Sequence, residues 1–356
     1  MKRGLGYLLA MTILALLAVL VFVPGEHVGE DSAVDTLLLP GMADRINDVD
    51  RVEIVTAGNK VVVTLSRSAA DWQLEQMNGY HADWPKLQKL LAGLAQAIVI
   101  EVKTDKPKYY AQLGVEAVSL EGAGSMLVKL RIGEETTGIL IGHQAQGRSG
   151  QYVRLQDSAA SALLDRSLDV SGELLDWADK RIIDINASQV AEVEIVHPEA
   201  GRVFVTRISA DQSDFELVGL PQDREIQSSW SVNSFASSLS LLDLESVRPE
   251  NNVDWQAAVR MRLLTFSGLE IMAEMVEAEG QYLLRLYASH PAAQVVGFGN
   301  DDVVQRAAAD VAGRVAEINQ RVSGWAYGIA KYKFEGMVKT QEDILKPIET
   351  ALPGAS

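Results

Sequence analysis

Residues 49–55 read VDRVEIV, and residues 190–196 read VAEVEIV. In Val52-Glu53-Ile54 and again in Val193-Glu194-Ile195, apolar and charged side chains alternate. A period of two puts the apolar set on one face of a strand, so each stretch predicts a strand buried on one side only. A parallel nucleotide-binding sheet would instead carry near-continuous apolar runs with a helix after each strand.

The pattern downstream of each heptad repeats as well. After the first, Lys60–Arg67 predicts a second strand and Trp72-Gln73-Leu74 a short third. After the second, Arg202–Arg207 and Phe215-Glu216-Leu217 take those places. A helix then begins at Asp83-Trp84-Pro85, with Asp83 as N-cap, Pro85 in the first turn and Leu87, Leu90, Leu91, Leu94 and Ala97 on one face. Its counterpart is expected over about 231–243, with Val232, Phe235, Leu239 and Leu242 as the apolar stripe. Further on, Met126–Arg131 resembles Val259–Leu264, and Gly150–Leu155 resembles Gly280–Leu286.

The expected fold is therefore α+β, with two tandem antiparallel-sheet-plus-helix units over 46–180 and 181–295. A C-terminal helical segment, 296–356, stands outside the repeat: a helix through Val304–Val322, a short strand at Trp325–Ile329 and a second helix at about 335–347.

The N-terminus sets the location. Met1-Lys2-Arg3 precedes residues 4–23, which carry no charge. Twenty residues at about 1.5 Å each span roughly the 30 Å hydrocarbon core of a bilayer. The apolar wall of this expected transmembrane helix is Leu5, Leu9, Ile13, Leu16, Leu20 and Phe22. Lys2 and Arg3 before it, with Glu26, Glu30 and Asp31 after, place the N-terminus in the cytoplasm and the bulk outside. The run is longer than a signal-peptide core and ends in Val-Pro-Gly, a poor cleavage site, so a retained single-pass anchor is expected. Residues 24–45, punctuated by Pro24, Gly25, Pro40 and Gly41, are read as a tether, in which Leu37-Leu38-Leu39 either dock on the domain or lie near the membrane surface.

Composition narrows the chemistry. With 32 basic against 48 acidic residues the net charge is −16, which repels phosphate backbones and argues against nucleic-acid binding. There is no cysteine, which removes disulfides, thiolate metal sites and a cysteine nucleophile. His27, His81, His143, His197 and His290 make no metal-ligand spacing, GHQAQGRSG at 142–150 lacks the ending of a phosphate loop, and no GxSxG elbow occurs. Glu134-Glu135 and Asp301-Asp302 sit where a turn and a helix cap are expected, not in a buried site that would raise a pKa. No catalytic, cofactor or metal residues are assigned. Tyr109 and Tyr110 beside the lysines of TDKPK, with Trp325 and Tyr327, are the candidate partner contacts, because aromatic and basic residues are favoured at interfaces.

The order of these features resembles a bacterial family carrying the domain of unknown function numbered 4340. The resemblance rests on the strand pattern after INDV, on Lys108-Tyr109-Tyr110-Ala111-Gln112-Leu113-Gly114-Val115, and on Leu175-Asp176-Trp177 with Arg181-Ile182-Ile183-Asp184-Ile185 between the copies. It continues in Gly324-Trp325-Ala326-Tyr327 and a QEDIL element near the end. Ala70-Asp71 departs from the glycines that usually precede the third-strand tryptophan, which puts that turn in doubt. The resemblance implies an accessory subunit of an ABC-type transport system of the gliding-motility kind, with a permease and an extracytoplasmic auxiliary protein as partners and no catalysis of its own. Two alternatives remain open: a module holding an envelope sugar, peptide or lipid between the copies, and a carboxylate-based hydrolase.

Overall fold

The alternating stretches become antiparallel sheets in the computed structural model, which describes residues 35–69, 71–291 and 301–347. The first sheet comprises β1 (Thr36–Leu37), β2 (Arg51–Thr56), β3 (Lys60–Arg67), β4 (Trp72–Leu74) and β5 (Tyr80–His81). It continues with β6 (Ile98–Val102), β7 (Met126–Ile132), β8 (Glu135–Gln144), β9 (Gln151–Leu155) and β10 (Ser161–Leu164). A two-stranded ribbon pairs β11 (Arg181–Ile183) with β15 (Leu242–Asp243). The second sheet holds β12 (Val190–His197), β13 (Gly201–Thr206), β14 (Glu216–Leu217), β16 (Ser246–Pro249) and β17 (Val259–Thr265). Its remaining strands are β18 (Glu270–Ala278), β19 (Gln281–Ser289) and β20 (Trp325–Gly328).

The two sheets share one strand order. In the first, β6-β10-β9-β8-β7-β2-β3-β4 run side by side, and in the second β16-β20-β19-β18-β17-β12-β13-β14. Register agrees too. Val52 lies opposite Leu65 and Leu130, and Val193 lies opposite Val205 and Leu263. All four partners are buried, so a slip of one residue would turn both apolar sets to solvent.

For the end of the tether the structure selects docking on the domain, and the C-terminal segment lies elsewhere than its sequence suggests. The described end of the stretch read as a tether is built into the first sheet: Thr36 and Leu37 pair with Val99 and Ile98, and Leu38 and Leu39 are buried. Leu38 and Leu39 have more to gain from covering the core than from contact with water, while Leu37 stays exposed. Nor does the C-terminal segment stand outside the second sheet. Trp325–Gly328 is the strand β20, in the place β10 holds in the first sheet, and the Asp301–Val322 helix is an insertion between β19 and β20. Residues 156–160 alone make the corresponding connection in the first sheet. The final turns match as well: Asp83 N–H donates to Trp177 O and Asp179 N–H to His81 O, while Gln227 N–H donates to Ile344 O and Lys346 N–H to Glu225 O.

The helix expected over 231–243 is shorter, because its serines compete for its backbone. Ser234, Ser237 and Ser238 donate their hydroxyls to Ser231 O, Ser234 O and Phe235 O, bonds that favour caps and tight turns over a helix interior. The α-helix covers Ser229–Asn233, a 3-10 turn covers Ser234–Ser237, and Leu242 falls in β15. The last helix is likewise Lys331–Met337 with a 3-10 turn at Glu342–Ile344, not one helix over 335–347. The Trp84–Ala95 helix starts as expected, with Asp83 Oδ1 accepting from Lys86 N–H at 2.9 Å, but it ends before Ala97, which is buried beyond the C-cap Gln96.

Buried side chains of both sheets join in one core, where Trp177, Tyr80, Tyr327 and Phe235 are the largest fully buried residues. Among the described residues no helix is long and apolar enough to cross a membrane. The expected anchor at 4–23, with Leu5, Leu9, Ile13, Leu16, Leu20 and Phe22, lies outside the described residues.

The polar sheet faces carry cross-strand ion pairs. Arg260 and Arg285 both donate to Glu274, at 3.0 and 2.7 Å. Burial works to raise the Glu274 carboxyl, but the hydrogen bonds from Arg285 and then Arg260 outweigh it and hold the group below its ordinary range. A carboxyl whose pKa is depressed by folding contributes stability above its unfolded pKa and loses it as pH falls through the folded one. Glu274→Gln is therefore expected to lower stability at pH 7 by roughly 1–3 kcal/mol. In urea titrations the deficit should shrink below about pH 4 and vanish in stronger acid. A deficit independent of pH would assign the loss to packing.

Candidate functional site

Where the first sheet meets the inserted helix, a cleft of about 680 Å³ opens. One wall is the end of β5 and the start of the Trp84–Ala95 helix, with Asp71 on the turn before β4. The other is Glu317, Gln320 and Arg321 of the Asp301–Val322 helix, and Asp179 and Arg181 form the floor between them. A pocket of about 300 Å³ adjoins it, shares Asp71 and Trp84, and extends to Arg67 and Leu91. Trp84 thus lies on the ridge between two concavities, 43% exposed.

Most charges in the cleft are already paired. Arg321 Nη2 lies 2.8 Å from both carboxylate oxygens of Asp179 and also donates to Arg181 O. Arg181 pairs with Asp243 and, at 3.7 Å, with Asp184. Asp71 Oδ2 meets His81 Nδ1 at 2.8 Å, and its Oδ1 accepts from Trp72 N–H at 2.7 Å. The turn that departs from the family's glycines is thus closed by Asp71 and Ser68, whose hydroxyl donates to Asp71 O at 3.0 Å. Burial lifts the Asp179 carboxyl above its ordinary range, Arg321 opposes it, and the Asp83 carboxylate adds to the rise. Glu317 is exposed and has no partner among the described residues, and Asp83 uses one oxygen as a helix cap. The uncommitted charge is negative, so the cleft suits a positive group better than an anion.

Beneath the cleft the sheets meet through aromatic rings. Tyr80 packs edge-on against Trp325 at 5.2 Å and Tyr327 at 6.1 Å between centroids. Tyr80 donates its hydroxyl to Asp179 O at 3.1 Å, whereas the buried Tyr327 Oη faces the Tyr80 hydroxyl without a well-formed hydrogen bond among the described residues. Burial pushes both hydroxyls well above the ordinary tyrosine range. A buried hydroxyl that makes no well-formed hydrogen bond gains little for the fold, so Tyr327→Phe is expected to leave thermal stability unchanged or raise it by up to about 1 kcal/mol. A clear loss on melting would show that the hydroxyl is bonded.

The four aromatic residues proposed as partner contacts separate. Tyr110 and Tyr327 are buried and cannot be surface contacts. Tyr110 gives its hydroxyl to Asp105 O at 3.2 Å and to Ala159 O at 2.5 Å, and Arg154 lies over its ring. Trp325 is half-buried against Tyr80, and Tyr109 stays exposed with Lys108 over its ring at 4.9 Å. Being apolar enough to fill a core, the tyrosines at 110 and 327 were used for that. Among the described residues no cluster of three or more histidines and carboxylates is placed to hold a metal. The cleft residues Trp84, Asp179, Glu317 and Arg321 were not singled out in the sequence. The signal available was the extra length between β19 and β20, which supplies one wall.

The family model for a domain of unknown function, DUF4340, matches residues 72–259, more than half of the chain. The chain belongs to that family. In this DUF4340 protein the match begins at the tryptophan of β4 and ends as β17 begins, so it includes the cleft residues His81–Pro85, Asp179 and Arg181 but neither Asp71 nor the inserted helix. No curated protein and no solved structure shows detectable similarity to it.

Proposed function

We propose that this DUF4340 chain is a single-pass, membrane-anchored extracytoplasmic subunit of an ABC-type transport complex. It acts by binding the permease and an extracytoplasmic auxiliary protein, and no chemical step is assigned to it. On this reading the two sheets are tandem copies of one unit, following an anchor at 4–23. The observation that carries it is the use of the inserted helix, which walls a surface cleft at the junction of the two sheets. An insertion spent on a concave, charged surface serves contact with something outside the fold. The uncharged run behind Lys2 and Arg3 supports the placement outside the cytoplasm. Affinity purification of the full chain from mildly solubilised membranes is expected to recover an ABC permease or ATPase. Recovery of the chain alone would sink the reading.

A second reading is favoured by the size of the cleft. At about 680 Å³ it falls within the range of about 300–1,000 Å³ usual for small-molecule sites. An envelope-derived small molecule would then occupy it, and binding would survive without any partner protein.

A further inference from the structure

We infer that the cleft between the first sheet and the inserted helix receives one cationic side chain, arginine or lysine, presented by an extended segment of a partner polypeptide. The inference rests on the reading of the chain as a binding subunit and names the chemistry of its working surface.

Three independent features of the cleft converge on that ligand. The first is an aromatic face without an occupant. Trp84 is 43% exposed, and its ring makes no aromatic or cation contact among the described residues, whereas Trp177, Trp230 and Trp255 each have a lysine or arginine over the ring. A tryptophan face attracts guanidinium and ammonium groups more strongly than any other aromatic side chain does. The second is the charge left after pairing. Arg321, Arg181 and His81 are held by Asp179, Asp243 and Asp71, while Glu317 and one oxygen of Asp83 remain open to the cleft. An added cation would meet carboxylates with no competing internal partner.

The third comes from comparing the two sheets. The positions that match His81 and Asp179 by their backbone bonds are Glu225 and Lys346 in the second copy, and these two pair with each other at 2.6 Å. There the two positions neutralise each other in an exposed salt bridge, and Arg224 adds a second to Glu342 at 2.9 Å. In the first copy the matching positions line the open cleft, and the inserted helix faces them there. A peptide is favoured over a compact ion because the two adjoining pockets run on either side of Trp84, giving room for backbone on both sides of an anchoring side chain.

The test uses the full chain in detergent micelles and a capped Gly-Gly-Arg-Gly-Gly peptide, with the citrulline peptide of the same shape as control. The arginine peptide is expected to bind and to quench tryptophan fluorescence, and the citrulline peptide to bind about tenfold more weakly or not at all. Trp84→Leu and Glu317→Gln should each weaken the arginine peptide by about tenfold, while Trp230→Leu, which removes the other exposed tryptophan, should leave it unchanged. Unchanged far-ultraviolet circular dichroism and melting would show that the variants fold. Equal affinity for arginine and citrulline, absence of binding, or indifference to Trp84→Leu and Glu317→Gln would overturn the proposal. So would tighter binding of spermidine than of the peptide, which would assign the site to a small free cation. Co-purification of a permease bears on the subunit reading alone, so either claim can fail without the other.

Discussion

Trp177→Ala is expected to destabilise the protein by about 3–5 kcal/mol, the range for removing a fully buried large aromatic side chain. Trp177 is fully buried and sits at the turn where the first copy ends, before the chain crosses to β11. Its indole N–H donates to Ser171 O at 2.9 Å and its carbonyl accepts Asp83 N–H at 2.7 Å. Lys86 covers the ring at 4.8 Å. Truncation would open a cavity in the core common to both sheets and leave Ser171 O without its donor. Because the core is continuous, the loss should appear as a lower midpoint of a single cooperative urea transition. Two separate transitions, with only the first affected, would show that the sheets unfold independently. Trp177→Phe, which keeps most of the volume, should recover more than half of the loss.

That turn also shows where the sequence could be read and where it could not. The heptads at 49–55 and 190–196 gave both first strands, because a period of two against one buried face leaves little freedom of register. Asp83 was legible as a cap because an aspartate before Trp-Pro and an apolar stripe has one local solution. The C-terminal segment was not legible as part of the second sheet. Its strand Trp325–Gly328 reaches β19 only across the inserted helix, and nothing local in WAYG distinguishes an edge ribbon from a sheet member. The Ile344-Leu345 turn that mirrors Trp177-Ala178 shares almost no side chains with it and is matched only by backbone bonds to the start of a helix. The cleft was illegible for a related reason. Asp71, Asp83, Asp179 and Glu317 come from four separate elements, and the surplus of negative charge exists only after Arg181 and Arg321 have found their partners.

Arg207→Met should be nearly as damaging as the loss of Trp177. Arg207 is buried and carries a positive charge with no carboxylate beside it among the described residues. Its guanidinium instead donates to four carbonyls: Val190 O at 2.9 Å, Gln212 O at 3.0 Å, Ala187 O at 2.9 Å and Ser188 O at 2.7 Å. Phe215 and Phe266 flank it at 4.7 and 5.3 Å from the ring centroids. Burial pulls its pKa down, yet a guanidinium starts so high that it stays protonated at any pH the fold survives. The side chain thus ties the 3-10 turn before β12 to the end of β13, as Arg67 ties itself to Asn47 O in the first sheet. Methionine would fill the space between the rings but leave several carbonyls without donors, at about 1–3 kcal/mol for each that water cannot reach. The expected total is roughly 3–5 kcal/mol in chemical denaturation. Arg207→Lys should recover little, because one ammonium cannot reproduce a planar fork that meets four acceptors and stacks between two rings. Full rescue by lysine would mean that charge alone matters there, and that the carbonyl cage is incidental.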